Sequence, residues 1–369
     1  MRCLRWLTRA VRGCPRQWQD VGGGAFLAGL LWAAMAWGQA YHIEDLGCFL
    51  PTALTNNREI SGNSTYGAPT CGGGVDFPAR LHHGTIERLA NPEATGRAYA
   101  INTQGVTVGL SGAVPPMAYG PMVWDMAGVG TALPVPPGHR TMGGIGAGFC
   151  INEAGIIGGT VELDAGPTLP LRWRHGQVEV LATQGGHGWV HGCNANDHMV
   201  GRIWQTTGPF QAASWDTHGQ LRLLGTLGGS DSEAFAINAR GTIVGSSQDA
   251  NNILRAFVWD SRRGMRALPG DHCYASAINN AGAIVGQCSI NAQGQGGYAV
   301  LWMPPFYVAY NLNEAVDNGE SWVLEAASGI NDSGHISGEG TYNGVPGHGW
   351  LLVPSPTVQA LWMSVAEQP

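Results

Sequence analysis

The feature that most constrains this chain is a nine-residue unit, Ile-Asn-x-x-Gly-x-Ile-Val-Gly, that recurs along it. Clear copies lie at Ile101–Gly109, Ile237–Gly245, Ile278–Gly286 and Ile330–Gly338, a copy at Ile151–Gly158 reads one residue shorter, and weaker copies lie at Leu54–Gly62 and Cys193–Gly201. In the weaker copies Arg58 and Asp197 replace the turn Gly. The seven final glycines are 41 to 52 residues apart. A repeat of this length indicates an array of small, similar structural units.

Each copy predicts a β-hairpin. Asn followed by two polar residues and Gly is typical of a turn, because Asn and Gly tolerate left-handed backbone conformations. The apolar residues on either side predict the two strands. The predicted turn positions are Asn102, Gly105, Asn152, Gly155, Asn194, Asn238, Gly241, Asn279, Gly282, Asn331 and Gly334.

Two further strands follow most hairpins. The first carries a Trp in six units, whereas the first unit has Arg80–Gly84 without Trp in that place. The second is a short strand with leucines, such as VEVL or LRLL. The last unit ends after its Trp strand, and the segment His42–Gly47 supplies a leucine strand near the start of the chain. Pairing of this early strand with the last unit would complete it.

These signals predict an all-β protein, a β-propeller of seven four-stranded blades from Tyr41 to about Pro354. The Ile-Asn strand is expected to be innermost and the leucine strand outermost, with the N-terminal strand closing the last blade. Closure removes the exposed sheet edges that promote aggregation. The 57 glycines among 369 residues and a charged fraction of 12% fit short strands and tight turns. Six or eight blades remain alternatives, because two copies of the unit are degenerate.

Residues 1–40 have the pattern of a secretory signal peptide. Five arginines between Arg2 and Arg16 precede the apolar segment Ala25–Trp37, and small residues at Gly38 and Ala40 precede Tyr41. The alternative is an uncleaved membrane anchor. We expect export, to the periplasm or the exterior, after cleavage near Ala40. Residues 355–369 are expected to form a C-terminal tail.

Charge restricts the partners. Residues 1–40 hold five of the 19 Arg and one of the 26 acids, so the remainder carries 14 Arg and 25 acids, a net charge near −11. Nucleic acids and anionic membranes need a basic surface. We therefore expect neither nucleic acid nor an anionic membrane as a partner. We also expect that the mature chain does not insert into a membrane and that it is a monomer.

The six cysteines after residue 40 are expected to form disulfides in an oxidising compartment. In the hairpin around Asn279, a four-residue turn places Ile278 opposite Ala283 and Cys273 opposite Cys288. Cys48 and Cys71 flank the first hairpin in a similar way. Cys193 and Cys150 lie one and two residues before their turn Asn, on neighbouring innermost strands. Free buried thiols are the alternative for the last two pairs.

The chain resembles the HAF family of probable extracellular repeat proteins. The resemblance rests on Leu224–Ser247, Arg255–Asp260, Ser321–Gly338 and Gly347–Leu352 and covers most of Tyr41 to Pro354. It implies a secreted bacterial protein and no established activity or catalytic residue. The His-Ala-Phe motif that names the family appears here only in altered forms, as Arg255-Ala256-Phe257 and in Gly347–Trp350. Family members often end in a Pro-rich sorting tail, which Val353–Pro369 resembles only in part.

Recurring polar and aromatic residues are interpreted first as structural. Asp125, Asp216 and Asp260 each precede a Gly by three or four residues, which is typical of an Asp that caps a turn. The recurring Trp is expected to fill the gap between blades. The HGWVHG segment, His187–Gly192, has histidines four apart but glycines that favour a loop, and no Cys or acid nearby in sequence completes a metal site. We therefore expect no metal and no cofactor.

A binding face is predicted on the loops around the channel, where outer strands connect to the next blade and second strands connect to third strands. The candidate residues are His139, Arg140, His187, Trp189, Asp271, His272, Asp317, Glu320 and Trp322. The leading hypothesis is a non-catalytic binding or scaffolding module for a glycan or a surface protein. A secreted propeller hydrolase or lyase is the alternative, and a purely structural repeat is the third. Converging carboxylates, or a Tyr-His-Arg group, at the channel would favour catalysis, and aromatic platforms alone would favour binding.

Overall fold

Seven four-stranded antiparallel sheets, here blades 1 to 7, surround a central channel. The computed structural model describes residues 40–66, 71, 75–90, 95–112, 119–137, 146–163, 166–291, 293, 295–316 and 321–366. The first strand of each of blades 1 to 6 is innermost, and the innermost strands of all seven blades contact one another in a closed ring. The predicted seven-bladed propeller, with the Ile-Asn strand at its centre, is confirmed.

The strands are short and follow the order of the repeat. Blades 1 and 2 contain β2 Phe49–Leu54, β3 Ile60–Tyr66, β4 Val75–His82, β5 Thr85–Arg88, β6 Thr95–Ile101, β7 Thr107–Gly112, β8 Tyr119–Trp124 and β9 Gly130–Ala132. Blades 3 and 4 contain β10 Gly146–Ile151, β11 Ile157–Glu162, β12 Thr168–Arg174, β13 Gln177–Val180, β14 His187–Cys193, β15 Met199–Trp204, β16 Gln211–Trp215 and β17 Leu221–Gly225. Blades 5 and 6 contain β18 Gly228–Ile237, β19 Ile243–Asp249, β20 Leu254–Asp260, β21 Gly264–Ala267, β22 Cys273–Ile278, β23 Ile284–Cys288, β24 Tyr298–Met303 and β25 Val308–Asn311.

Blade 7 combines strands from both ends of the chain segment that forms the propeller. Its strands β26 Trp322–Ile330, β27 Ile336–Tyr342 and β28 Val345–Pro354 are joined by β1 Tyr41–Gly47, in the order β1-β28-β27-β26. Tyr41 lies opposite Pro354 and Asp45 opposite Trp350. The predicted closure by the N-terminal strand is confirmed, and it joins two chain segments that are about 300 residues apart.

The turn asparagines form a ring of hydrogen bonds between blades. In blade 5, Asn238 Oδ1 accepts the backbone N–H groups of Arg240 and Thr242 at 3.1 and 3.0 Å, which fixes the turn. Its Nδ2 donates to the backbone carbonyl of Asn279 in blade 6 at 3.1 Å. The same Nδ2-to-carbonyl bond joins each of blades 2 to 7 to the next blade, at 3.0 to 3.4 Å. The turn Asn side chains are buried.

Blade 1 closes the ring with different residues. Thr55 stands in the Asn position, and its carbonyl accepts the Nδ2 of Asn331 from blade 7 at 3.0 Å. The Thr55 hydroxyl accepts the backbone N–H of Glu59, as Asn Oδ1 does in the other turns. The link onward to blade 2 comes from Asn57, whose Nδ2 donates to the carbonyl of Thr103 at 2.8 Å. The circle of seven blades is therefore continuous.

The final Gly of every unit is required by the close approach of the innermost strand. A Cβ atom at any of the seven would lie between 1.8 and 2.4 Å from a backbone carbonyl oxygen of that strand. At Gly245, for example, the nearest atom would be the carbonyl oxygen of Glu233, at 2.0 Å. In blade 3 this position is Gly159, which lies opposite Gly148 as Gly245 lies opposite Ala234. The expectation of a shorter copy ending at Gly158 was therefore wrong, because Gly158 and Gly159 are adjacent and the copy has full length.

The recurring Trp and Asp residues have the predicted structural roles. Five of the six Trp side chains are fully buried. Trp173, Trp215 and Trp302 donate their indole N–H to carbonyls of Pro134, Ala182 and Pro269, each in the segment that follows the outer strand of the preceding blade. Asp125 and Asp216 each accept two backbone N–H groups of their own turns at 2.9 Å.

The three predicted cysteine pairs lie at disulfide distance. The Cα–Cα separations are 4.9 Å for Cys48–Cys71, 5.8 Å for Cys150–Cys193 and 4.1 Å for Cys273–Cys288. Cys273 lies opposite Cys288 as expected, although Ile278 faces Ile284 rather than Ala283. A bulge between Ala275 and Ala277 compensates for the difference of one residue. The Cys150–Cys193 pair joins blades 3 and 4.

The segment after the propeller, predicted as a tail, forms helix α1, Pro356–Ala366. Trp362 and Val358 of α1 are buried in the core cluster of blade 7. The predicted signal peptide lies outside the described residues, except for Ala40. Within the part of the chain that the structure describes, no helix is long and apolar enough to cross a membrane.

We predict that Asn238→Ala lowers the free energy of unfolding by about 2–3 kcal/mol, because two turn N–H groups and one carbonyl of blade 6 lose a buried partner. Asn238→Thr should cost less, since a Thr hydroxyl accepts the turn N–H in blade 1. Urea denaturation measures both. The control is Asn251→Ala in an exposed turn of the same blade. Equal stability of Asn238→Ala and the control would contradict the role of the ring.

We predict that the chain from Tyr41 onward contains no alkylatable thiol before reduction and six after it, because its six cysteines form three bridges. Intact-mass spectrometry after alkylation, with and without a reductant, counts the thiols. Peptide mapping of the unreduced protein identifies the pairs. Two or more adducts without reduction would show that a bridge is missing.

A pH dependence of stability is expected from His335, which is 6% exposed. Burial, with a smaller effect of the Arg58 charge, lowers its pKa from 6.5 to about 4. The unfolded chain takes up this proton near pH 6.5 and the folded chain only near pH 4, so stability falls as pH decreases through that window. His335→Val introduces the residue that Val106 provides in blade 2 and should flatten this slope. Thermal unfolding of both proteins between pH 4 and 7 measures this slope. An unchanged slope in His335→Val would show that His335 does not cause the pH dependence.

Candidate functional site: the central channel

One side chain from each blade is directed into the channel by a β-bulge. In blade 5, Ala234 pairs with Gly245 and Ala236 with Val244, which leaves Phe235 between them without a partner residue on β19. A bulge includes the corresponding position of every innermost strand, three residues before the turn Asn or Thr. Bulges redirect side chains out of the regular alternation of a strand. The seven bulge residues are Thr52, Tyr99, Phe149, His191, Phe235, Ser276 and Ser328, and all of them line one cavity.

This cavity has a volume of about 490 Å³ and receives side chains from all seven blades. It therefore lies on the propeller axis. Its volume falls within the range of roughly 300–1,000 Å³ that is common for small-molecule sites. Residues of the second and third strands also reach it, among them Asn63, Asp76 and Glu339.

One side of the channel is a continuous band of aromatic rings from blades 2 to 6. Tyr99 contacts Phe149 with ring centroids 4.8 Å apart, and Phe149 contacts Trp189 at 5.4 Å. His191 lies 5.8 Å from Trp189 and 5.4 Å from Phe235, and Phe235 lies 6.2 Å from Tyr274. Because each ring rests on its neighbours, the band is a preformed apolar wall.

The other side of the channel is polar. The bulge residues of blades 6, 7 and 1 are Ser276, Ser328 and Thr52. Thr52 donates to the carbonyl of Ala98 at 3.0 Å, which leaves its oxygen lone pairs near the Ser61 hydroxyl at 2.9 Å. A ligand in the channel would thus have aromatic faces on one side and hydroxyl groups on the other.

The charged residues around the channel are mostly paired. Arg97 binds Asp76 at 2.8 Å. Glu233 binds His191 at 2.5 Å and Arg202 at 3.0 Å, and the Arg202 guanidinium also lies 5.3 Å from the Trp189 ring. These contacts hold the aromatic band in place. Glu325 accepts the hydroxyl of Thr341 at 2.7 Å.

Glu339 differs from the other acids. It lines the cavity, and its side chain is exposed to the solvent there. Burial, together with the nearby Glu325 carboxylate, raises the pKa of Glu339 above its ordinary value. Burial and the charge of Glu339 raise the pKa of Tyr274 in turn. Tyr274 and Tyr99, whose pKa burial also raises, therefore remain protonated hydrogen-bond donors at neutral pH.

Five of the nine predicted face residues lie in the described part of the chain. None of these five lines the cavity. Trp189 contacts the cavity residues Phe149 and His191, and His187 on the same strand stacks on Trp204 at 5.0 Å. Asp271 and His272 lie between β21 and β22, where Asp271 binds Arg255. Trp322 is 8% exposed and stacks on Tyr342 at 4.7 Å. His139, Arg140, Asp317 and Glu320 fall outside the described residues.

The HGWVHG segment is a strand, β14, and not the loop that its glycines suggested. Its glycines lie on the buried face, where innermost strands pack closely, and a Cβ at Gly192 would lie 2.6 Å from the carbonyl oxygen of Phe235. Most of the channel was therefore not predicted, because the site was expected on loops. One signal was present: the position three residues before the turn Asn or Thr varies widely, whereas its two neighbours are mostly Ala or Gly.

No protein-family model and no curated protein matches this chain. Among solved structures it is similar to a puromycin-hydrolysing peptidase from Mycobacterium tuberculosis, with a TM-score of 0.55 and 13% identity over 88% of this chain and 53% of that one. It is also similar to a gluconolactonase from Xanthomonas campestris (TM-score 0.41, 12% identity, 87% and 88% covered). A fucose-specific lectin from Aleuria aurantia gives a TM-score of 0.35 and 9% identity over 61% and 77%. This chain spans about half the length of the peptidase, and the likeness concerns the fold alone.

Proposed function

We propose that this protein is an exported binding module that holds a neutral glycan in its central channel. The observation that carries the proposal is the division of the channel into an aromatic band and a hydroxyl-lined side. The C–H face of a sugar ring is apolar and packs on an aromatic ring, whereas its hydroxyl groups need hydrogen-bond partners. Both requirements are met within one cavity of about 490 Å³.

The charges favour a neutral ligand over an acidic one. Among the described residues that line the cavity, the acids are Asp76 and Glu339 and the guanidinium group is that of Arg97. Arg97 is already bound to Asp76 at 2.8 Å. An anionic sugar would therefore meet a negative balance of charge. Three disulfides support the export part of the proposal, because such bonds persist in oxidising compartments.

We predict that Phe149→Ser weakens glycan binding about tenfold, because a central ring of the band is lost. Ser occupies the same bulge position in blades 6 and 7, so the backbone tolerates it. The assay is a glycan array, followed by calorimetric titration with each glycan that binds. The control is Phe306→Ser, which removes an exposed aromatic ring from an outer hairpin. Equal affinity of wild type and Phe149→Ser would show that the ligand lies elsewhere. Binding of a protein instead of a glycan would contradict the proposal that the ligand is a glycan.

A second candidate function is glycan hydrolysis, which is favoured by the environment of Glu339 and by a Tyr-His-Arg group, Tyr99, His191 and Arg97, that lines the same cavity. A carboxylic acid with a raised pKa beside a second carboxylate is the usual composition of a glycosidase site. Glu339 would donate the proton to the leaving oxygen. Reducing-end assays on the glycans that bind separate the two functions. Release of products that stops in Glu339→Gln, with binding retained, would establish the enzyme, and binding without products would leave the module non-catalytic.

A further inference from the structure

Blade 1 departs from the repeat at two turns that meet at the same end of the blade. In the β2–β3 turn, Glu59 stands where the other blades have Val106, Ile156, His198, Thr242, Ala283 and His335. At the end of β4, His82 stands where three other blades have the turn-capping Asp125, Asp216 and Asp260. His83 follows in a two-residue turn with Gly84. The fold does not require Glu59 or His82, because no other blade has Glu at the first position or His at the second.

The three side chains converge. Nδ1 of His82 lies 2.6 Å from Glu59 Oε2, and Nδ1 of His83 lies 3.8 Å from Glu59 Oε1. One ligand atom from each residue lies within 4.8 Å of the other two. Ligands of a tetrahedral zinc ion with bonds near 2 Å are about 3.3 Å apart, so the observed distances lie on either side of that value.

The carboxylate of Glu59 is buried and therefore needs a partner. Glu59 is 3% exposed, and a buried carboxylate is costly unless it is paired or coordinates a metal. The nearest arginines are engaged elsewhere, since Arg58 binds Glu44 at 2.9 Å and Arg80 binds Glu87 at 3.1 Å. The side-chain partners of Glu59 are the two histidines. The His83 side chain is 82% exposed, so an ion can reach the cluster from solvent.

We propose that Glu59, His82 and His83 bind a divalent transition-metal ion of the zinc type. Two imidazoles and a carboxylate suit such an ion, whereas Ca²⁺ and Mg²⁺ prefer oxygen ligands throughout. Three protein ligands leave a fourth position for water or for a group of another molecule. The ion would link the two hairpins of blade 1. The prediction of no metal rested on the HGWVHG segment, whereas Glu59 and His82 are 23 residues apart in the sequence and only the fold brings them together.

The test is a titration of purified, untagged, chelator-treated protein with ZnCl₂, followed by calorimetry and thermal unfolding. Saturable binding of one Zn²⁺ with a rise in the unfolding midpoint is expected. His83→Asn should weaken binding by at least about tenfold, the size of effect known even for residues that only support ligands. Asn343, which also precedes a Gly in a two-residue turn, between β27 and β28, has the same left-handed backbone conformation, so Asn can adopt it.

The matched control is His175→Asn. His175 is an exposed residue at the same turn position in blade 3, where Ile156 replaces the Glu and Arg174 replaces His82. This variant should bind Zn²⁺ as the wild type does. Absence of saturable Zn²⁺ binding in the wild type, or equal affinity of His83→Asn and His175→Asn, would overturn the proposal. Glu59→Gln, which keeps the size of the side chain, should also lose the site.

Discussion

Each turn Asn uses both ends of its side-chain amide, and the propeller depends on this double use. The oxygen fixes the turn within its own blade, and the nitrogen binds a backbone carbonyl of the next blade. Local structure and ring closure are therefore supported by the same side chain. A substitution that preserves the turn but not the donor would leave each blade intact and weaken its link to the neighbour. Thr55 and Asn57 divide these two tasks in blade 1, which shows that they are separable.

The close packing of innermost strands explains the composition of the channel. The final Gly of each unit allows the second strand to approach the innermost strand, and the bulge opposite it turns one side chain toward the axis. The positions that hold the blades together accept little variation, whereas the bulge position touches the channel and is free to vary. Four aromatic or imidazole rings on one side, and three hydroxyls on the other, are the result. The asymmetry of the site thus arises on a nearly symmetric scaffold.

Blade 1 illustrates the same separation between scaffold and function. It lacks the turn Asn, the turn Gly and the Trp, yet it keeps four strands and its place in the ring. Leu81 occupies the Trp position opposite Ile60. Arg80 donates to the carbonyls of Gly105, Asp125 and Met126 in blade 2, as Arg172 of blade 3 donates to carbonyls of blade 4. Because these contacts stabilise the blade, its β2–β3 and β4–β5 turns can carry Glu59, His82 and His83.

The sequence by itself predicted seven blades, the strand order, the closure by β1 and the three cysteine pairs, with six or eight blades and free thiols in two of the pairs as its alternatives. These features follow from local signals that repeat at fixed spacing, namely turn residues, alternating apolar residues and the register of a hairpin. Only the tertiary structure decided which side chains enter the channel, because a bulge of one residue changes the direction of a side chain without a signature in the residue itself. It also decided the strand at HGWVHG and the meeting of Glu59 with His82, since close packing between strands and contacts between distant turns depend on how the blades are arranged in space.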